Sequence, residues 1–128
     1  MGMRTMRTSM LSALALLATF HGPAQARPAI PPMYQGEWNM HAKDCGTSRN
    51  DSTLRLRSGA IAYFESAGPV RAAVVRNREM ALVAELSGEG ETRLHAAHFQ
   101  LSRDGRTLTD VMSAPPLVRY RCPTRRKQ

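Results

Sequence analysis

The stretch SGEGETRLHAAH, residues 87–98, gathers two glutamates, an arginine and two histidines into twelve positions. These residue types serve a metal centre, an acid–base pair or a charged hairpin turn, and the backbone that carries them decides which. His95 and His98 stand three apart. On a helix they would share a face and could hold a transition metal together; on a regular strand they point to opposite sides. Leu94 is apolar on one strand phase, whereas Phe99 and Leu101 are apolar on the other. A β-bulge at Ala96 and Ala97 is therefore expected, turning Leu94, Phe99 and Leu101 inward and both histidines outward. Placed so, His95 and His98 are weak metal candidates, because a structural or catalytic site needs three or four converging ligands.

Glu89 and Glu91 fall in a glycine-flanked turn, a wet setting unsuited to acid–base work with shifted pKa values. An enzyme would require His95 or His98 to converge with one of these glutamates in a pocket. The serines sit in turns without a Gly-x-Ser-x-Gly elbow, and both cysteines are expected to be oxidised. The chain thus reads as lacking catalytic apparatus, and no cofactor is indicated. Glu65 follows AYF in phase with Ile61 and Tyr63; it marks a strand's exit to solvent or else needs Arg71 as a partner.

The segments that position these residues follow from the order of the chain. Residues 1–26 resemble a secretory signal: Arg4 and Arg7, an apolar run over 10–20, then HGPAQA with small residues at Ala24 and Ala26. The run is too short to span a bilayer, so no transmembrane anchor is expected after cleavage and the mature chain is periplasmic or extracellular. Residues 27–33 carry three prolines and form an extended lead-in, residues 34–122 a single β domain, and residues 123–128 a basic tail with Arg125, Arg126 and Lys127. Cys45 and Cys122 are the only cysteines, and export places them where a disulfide persists. Closing so long a loop stabilises the fold by about 4 to 5 kcal/mol in the chain-entropy model.

Period-two alternation dominates from Tyr34 onward. Tyr34, Gly36, Trp38 and Met40 share one face of a first strand, and Leu54 and Leu56 alternate with Arg55 and Arg57. AIAYFES is a strand, after which AGP turns the chain. VRAAVVRN and EMALVAELS flank a tight hairpin, TRLHAAHFQLS and TLTDVM flank RDGR, and LVRYRC separates Val118, Tyr120 and Cys122 from Arg119 and Arg121. About eight strands with short links predict an all-β fold, an antiparallel meander closing into a small barrel. The alternative is an α+β fold with a helix near 72–86, where alanine, methionine, glutamate and leucine are good helix formers.

The residues GEW, 36–38, near the start of such a meander resemble the Gly-x-Trp of the lipocalin-like, or calycin, β-barrels. The resemblance implies that Trp38 plugs a barrel floor and that an arginine of the last strand, Arg119 or Arg121, packs over it. GEWNMHAKDC is also similar to the small periplasmic inhibitor barrels that act on secreted metalloproteases, although their second cysteine falls much earlier than Cys122.

Eight strands of about six residues enclose an interior that side chains alone can fill, which disfavours a large ligand cavity. Removing Arg4 and Arg7 leaves 16 basic against 10 acidic residues, a net charge of +6. The excess is scattered along the strands without a stacking platform, so no nucleic-acid partner is expected. The chain reads as a small monomeric binding protein whose partner is a protein or an envelope polymer, an inhibitor of a secreted hydrolase being the concrete form. A carrier of a small apolar ligand is the alternative, and an enzyme the third.

Overall fold

A computed structural model describes residues 29–124, together with Gly2 and Gly22 in isolation. Apart from these two glycines, residues 1–26, expected to be a secretory signal, lie outside the described residues, as do the basic residues Arg125, Arg126 and Lys127.

Eight antiparallel strands close into a barrel in chain order. They are β1 (Gly36–Asn39), β2 (Leu54–Arg57), β3 (Ala60–Ala62), β4 (Ala67–Arg76), β5 (Glu79–Gly88), β6 (Glu91–Leu101), β7 (Thr107–Asp110) and β8 (Leu117–Arg121). Closure runs through β1 and β8, where Trp38 pairs with Arg121 and Asn39 with Tyr120. Just beyond it Cys45 and Cys122 form a disulfide with 5.5 Å between Cα atoms. The bond ties the β1–β2 loop to the end of the last strand.

No helix forms near 72–86, because that region is the hairpin of β4 and β5. The valines favour extended backbone, and Met80, Leu82, Ala84 and Leu86 bury in strict alternation along β5. Asn77 takes the left-handed conformation at the turn, φ 56°, which asparagine tolerates better than most residues. Glu89 and Gly90 do the same between β5 and β6, φ 52° and 78°, the pattern of a two-residue hairpin that matches strand twist.

Several local expectations shift. Tyr34 belongs to a 3-10 turn, Pro32–Tyr34, rather than to the first strand, and Met40 is exposed while Asn39 is fully buried. The lead-in is also more than an extended approach. Ile30 is buried, its N–H donates to the Ser58 carbonyl at 2.6 Å, and the packed domain begins there rather than at residue 34. β3 ends at Ala62, and the chain turns over Tyr63 to Ser66 (N–H to carbonyl, 2.7 Å), so AGP opens β4 instead of making the turn. Gly68 is required there, because any Cβ would collide with the backbone carbonyl of Glu85.

The bulge is in β4, between Val70 and Ala72, not at Ala96 and Ala97. β6 pairs with β5 residue for residue from Glu79↔Gln100 to Gly88↔Glu91. Leu94 consequently points outward and is 72 % exposed, while His95 turns inward on the phase of Ala97, Phe99 and Leu101. Ten uninterrupted pairs outweigh the burial of one leucine, worth about 2 kcal/mol.

One end of the barrel is the floor. Trp38, Tyr34, Ile30, Phe99, Met80, Leu101 and Leu108 fill it. Trp38 Nε1 donates to the Tyr34 carbonyl at 2.9 Å, so the lead-in turn caps the indole's polar edge. Among the described residues no helix is long and apolar enough to cross a membrane.

Candidate binding site at the barrel mouth

At the floor, β8 turns its arginines inward and leaves Val118 and Tyr120 on the outside. Arg121 lies over the Trp38 ring, 4.2 Å from its centre. Its Nε donates to the Gly105 carbonyl at 2.8 Å, Nη1 to Gln35 at 2.8 Å and Nη2 to Met33 at 2.6 Å. The guanidinium thereby closes the barrel end by holding the β6–β7 turn and the lead-in turn to one indole. Of the two arginines that the calycin resemblance left open, Arg121 occupies that position; Arg119 sits one inward step toward the mouth.

Arg119 is 6 % exposed, and its Nε donates to the Ser52 carbonyl at 2.7 Å. Its Nη1 is buried without a hydrogen-bond partner. Burial lowers its pKa, while Tyr63 and Asp110 act in the opposite direction. Asn39 organises the neighbouring loop. Its Oδ1 accepts from the His41 N–H (2.9 Å), Asn50 Nδ2 (3.1 Å) and Ser52 Oγ (3.1 Å), and its Nδ2 donates to Thr53 Oγ1 at 3.2 Å. A buried, satisfied asparagine of this kind fixes the loop that carries Asp51.

The mouth itself holds a cavity of about 360 Å³. Because β6 keeps its register, Glu91, Arg93 and His95 follow one another on the inner phase. Glu89 enters from the β5–β6 turn, Tyr63, Phe64, Glu65 and Ser66 from the β3–β4 turn, and Asp51 from the β1–β2 loop. Gly88 lets the two turns touch, since a Cβ there would strike the Glu65 carbonyl. The residues of SGEGETRLHAAH that carry charge are therefore largely brought together: Glu89, Glu91, Arg93 and His95 line one cavity.

Tyr63 Oη and His95 Nε2 are 2.9 Å apart, with the rings edge to face at 5.2 Å. Burial pushes the Tyr63 hydroxyl up to about 12, helped by the negative charge of Asp110 and opposed by Arg119. Burial also lowers the His95 pKa, followed by Arg93, with Asp110 opposing. Near neutral pH the pair is thus a protonated phenol and an uncharged imidazole. It can donate and accept hydrogen bonds, but the phenol is held away from the ionised form a nucleophile would need.

No hydrogen bond or ion pair joins His95 to Glu89 or Glu91. His98 is on the outer wall, 3.8 Å from Glu79. The two histidines therefore face opposite sides and cannot share a metal. Among the described residues no group of three or more histidine, cysteine or acidic side chains is placed to hold one. Glu65 is exposed at the rim, and Arg71 pairs instead with Glu85 at 3.2 Å. Sequence reasoning missed Tyr63 as the hydrogen-bond partner of His95, and Arg93 and Asp51 as lining of its cavity. The i, i+2 phase running back from Phe99 through Ala97 to His95 was the available signal.

Asp51, Glu65, Glu89 and Glu91 make no side-chain hydrogen bond or ion pair among the described residues. Four unpaired carboxylates against one arginine make this the acidic end of a chain with 18 basic residues. Comparison with family models, with curated proteins and with solved structures finds no match at the level that would show a relationship.

Proposed function

We propose that this chain is a small exported binding protein that works without catalysis and engages its partner at the barrel mouth. The observation that supports the reading is the cavity where unpaired carboxylates face the exposed Phe64 ring, above an interior already filled by side chains. Carboxylates beside an aromatic face suit an ammonium or guanidinium group on a short stem. A lysine or arginine side chain of a partner protein fits that chemistry, and inhibition of a secreted hydrolase is the concrete form proposed. The packed floor favours this reading over the alternative, a carrier of an apolar ligand, which would need a dry internal space.

The test is a panel of secreted lysozymes and proteases titrated with mature protein. Inhibition of at least one, relieved by raised salt and by the double variant Glu89→Gln, Glu91→Gln, is expected. If no hydrolase is inhibited and no envelope component is retained on immobilised protein, the proposal fails. A co-purifying apolar ligand in native mass spectrometry would shift the reading to a carrier.

A further inference from the structure

β4 outruns its neighbour. It is ten residues long, yet β3 pairs only with Ala67, Gly68 and Pro69. The Val70 N–H then donates to the Gly59 carbonyl at 2.9 Å, and this is the last backbone bond on that side. Residues 71–76, RAAVVR, have β5 along one edge and no backbone partner along the other among the described residues.

Alternate residues of an antiparallel strand turn both backbone groups to the same neighbour. Arg76 and Glu79 close the two-residue turn, so Arg76, Val74 and Ala72 bond to β5. Ala73 and Val75 present N–H and C=O to the open side. Along this edge Ala72, Val74 and Val75 are exposed, Val74 to 69 %, and Ala73 is half-buried against the core, with Arg71 and Arg76 at the two ends.

An open strand edge is a template for another strand, and its charges decide which strand is accepted. A second copy is a poor fit: antiparallel pairing of two β4 edges would set each Arg76 beside the other copy's Arg71, between chains that are both strongly basic. β6 also leaves an edge open, over residues 92–96, but Glu91, Arg93 and His98 around it mix the signs of charge and select no partner. We propose that the β4 edge is an interaction surface for an extended acidic polypeptide segment, which adds as a strand beside residues 71–76. Its backbone would pair with Ala73 and Val75, its apolar centre would lie against Val74, and its terminal carboxylates would meet Arg71 and Arg76. The pair of Arg71 with Glu85 is no obstacle, because both side chains are well exposed and such pairs are weak.

Fluorescence anisotropy with labelled peptides DVTVTE and KVTVTK on the mature chain tests this surface. The acidic peptide should bind and weaken with salt, and the basic one should not. Val75→Pro removes the outward N–H while leaving the ladder to β5 intact, and should abolish binding with circular dichroism unchanged. Should that variant unfold, Arg76→Glu, on a surface where folding is insensitive, should weaken the acidic peptide severalfold. Equal binding of both peptides, no binding at about 1 mM, unchanged affinity in folded variants, or dimerisation through this edge in sedimentation would each overturn the proposal. The mouth variant Glu89→Gln, Glu91→Gln should leave peptide binding unaltered, which separates this surface from the mouth.

Discussion

The two ends of the barrel use the same device to different effect. Each receives an inward arginine from β8, yet Arg121 at the floor has carbonyl acceptors for Nε, Nη1 and Nη2 and an indole beneath it, whereas Arg119 below the mouth has one bond and a bare Nη1. Arg121 rests on the fully buried Trp38 ring and on backbone carbonyls; around Arg119 the groups are Tyr63, Asp110 and Ser52. At the packed floor the three bonds of Arg121 supply stability, while the buried Tyr34 hydroxyl there has no hydrogen-bond partner among the described residues. Polar and charged groups left without partners at an open end supply recognition, because their hydrogen bonds remain to be made.

Breaking the floor should therefore be costly and breaking the mouth cheap. Replacing Cys45 and Cys122 by alanine releases the loop across the closure and is expected to lower unfolding free energy by about 4 to 5 kcal/mol in urea titrations. Trp38→Ala leaves a cavity under Arg121, and about 3 to 5 kcal/mol should go; a loss below about 1 kcal/mol would remove the floor from its central place. Tyr63→Phe, at the mouth, deletes one hydrogen bond to His95 and should cost about 1 kcal/mol. It should also remove the tyrosine that ionises near pH 12 in an ultraviolet titration. Glu89→Gln with Glu91→Gln should change stability by no more than about 0.5 kcal/mol, while altering partner binding.

The pH dependence sharpens the same contrast. The folded pKa of His95 lies below its ordinary 6.5, so the unfolded chain takes up the proton first. Stability from the neutral imidazole is complete above 6.5 and is lost as pH falls from there through the folded value. His95→Gln should flatten that part of the unfolding-midpoint profile, and His98→Gln on the outer wall should leave it in place. Identical profiles for both variants would mean that His95 is not held in the mouth as described.

By itself the sequence determined the eight strands, their antiparallel order, the closure with its disulfide and the burial of Trp38. Each of these follows from local periodicity, short links and a single possible cysteine pair. Only the tertiary structure decided which face of β6 looks inward. Leu94 and Ala96 on one phase are more apolar than His95 and Ala97 on the other, and ten pairs with β5, together with Phe99 and Leu101 on the phase of His95, override that local pattern. The same holds for Asn39 and Arg119, polar residues whose burial depends on acceptors and donors far along the chain. Convergence at the mouth was hidden for a related reason. Asp51, Tyr63 and Glu89 are distant in sequence, and only closure of the barrel brings three separate connections to one rim.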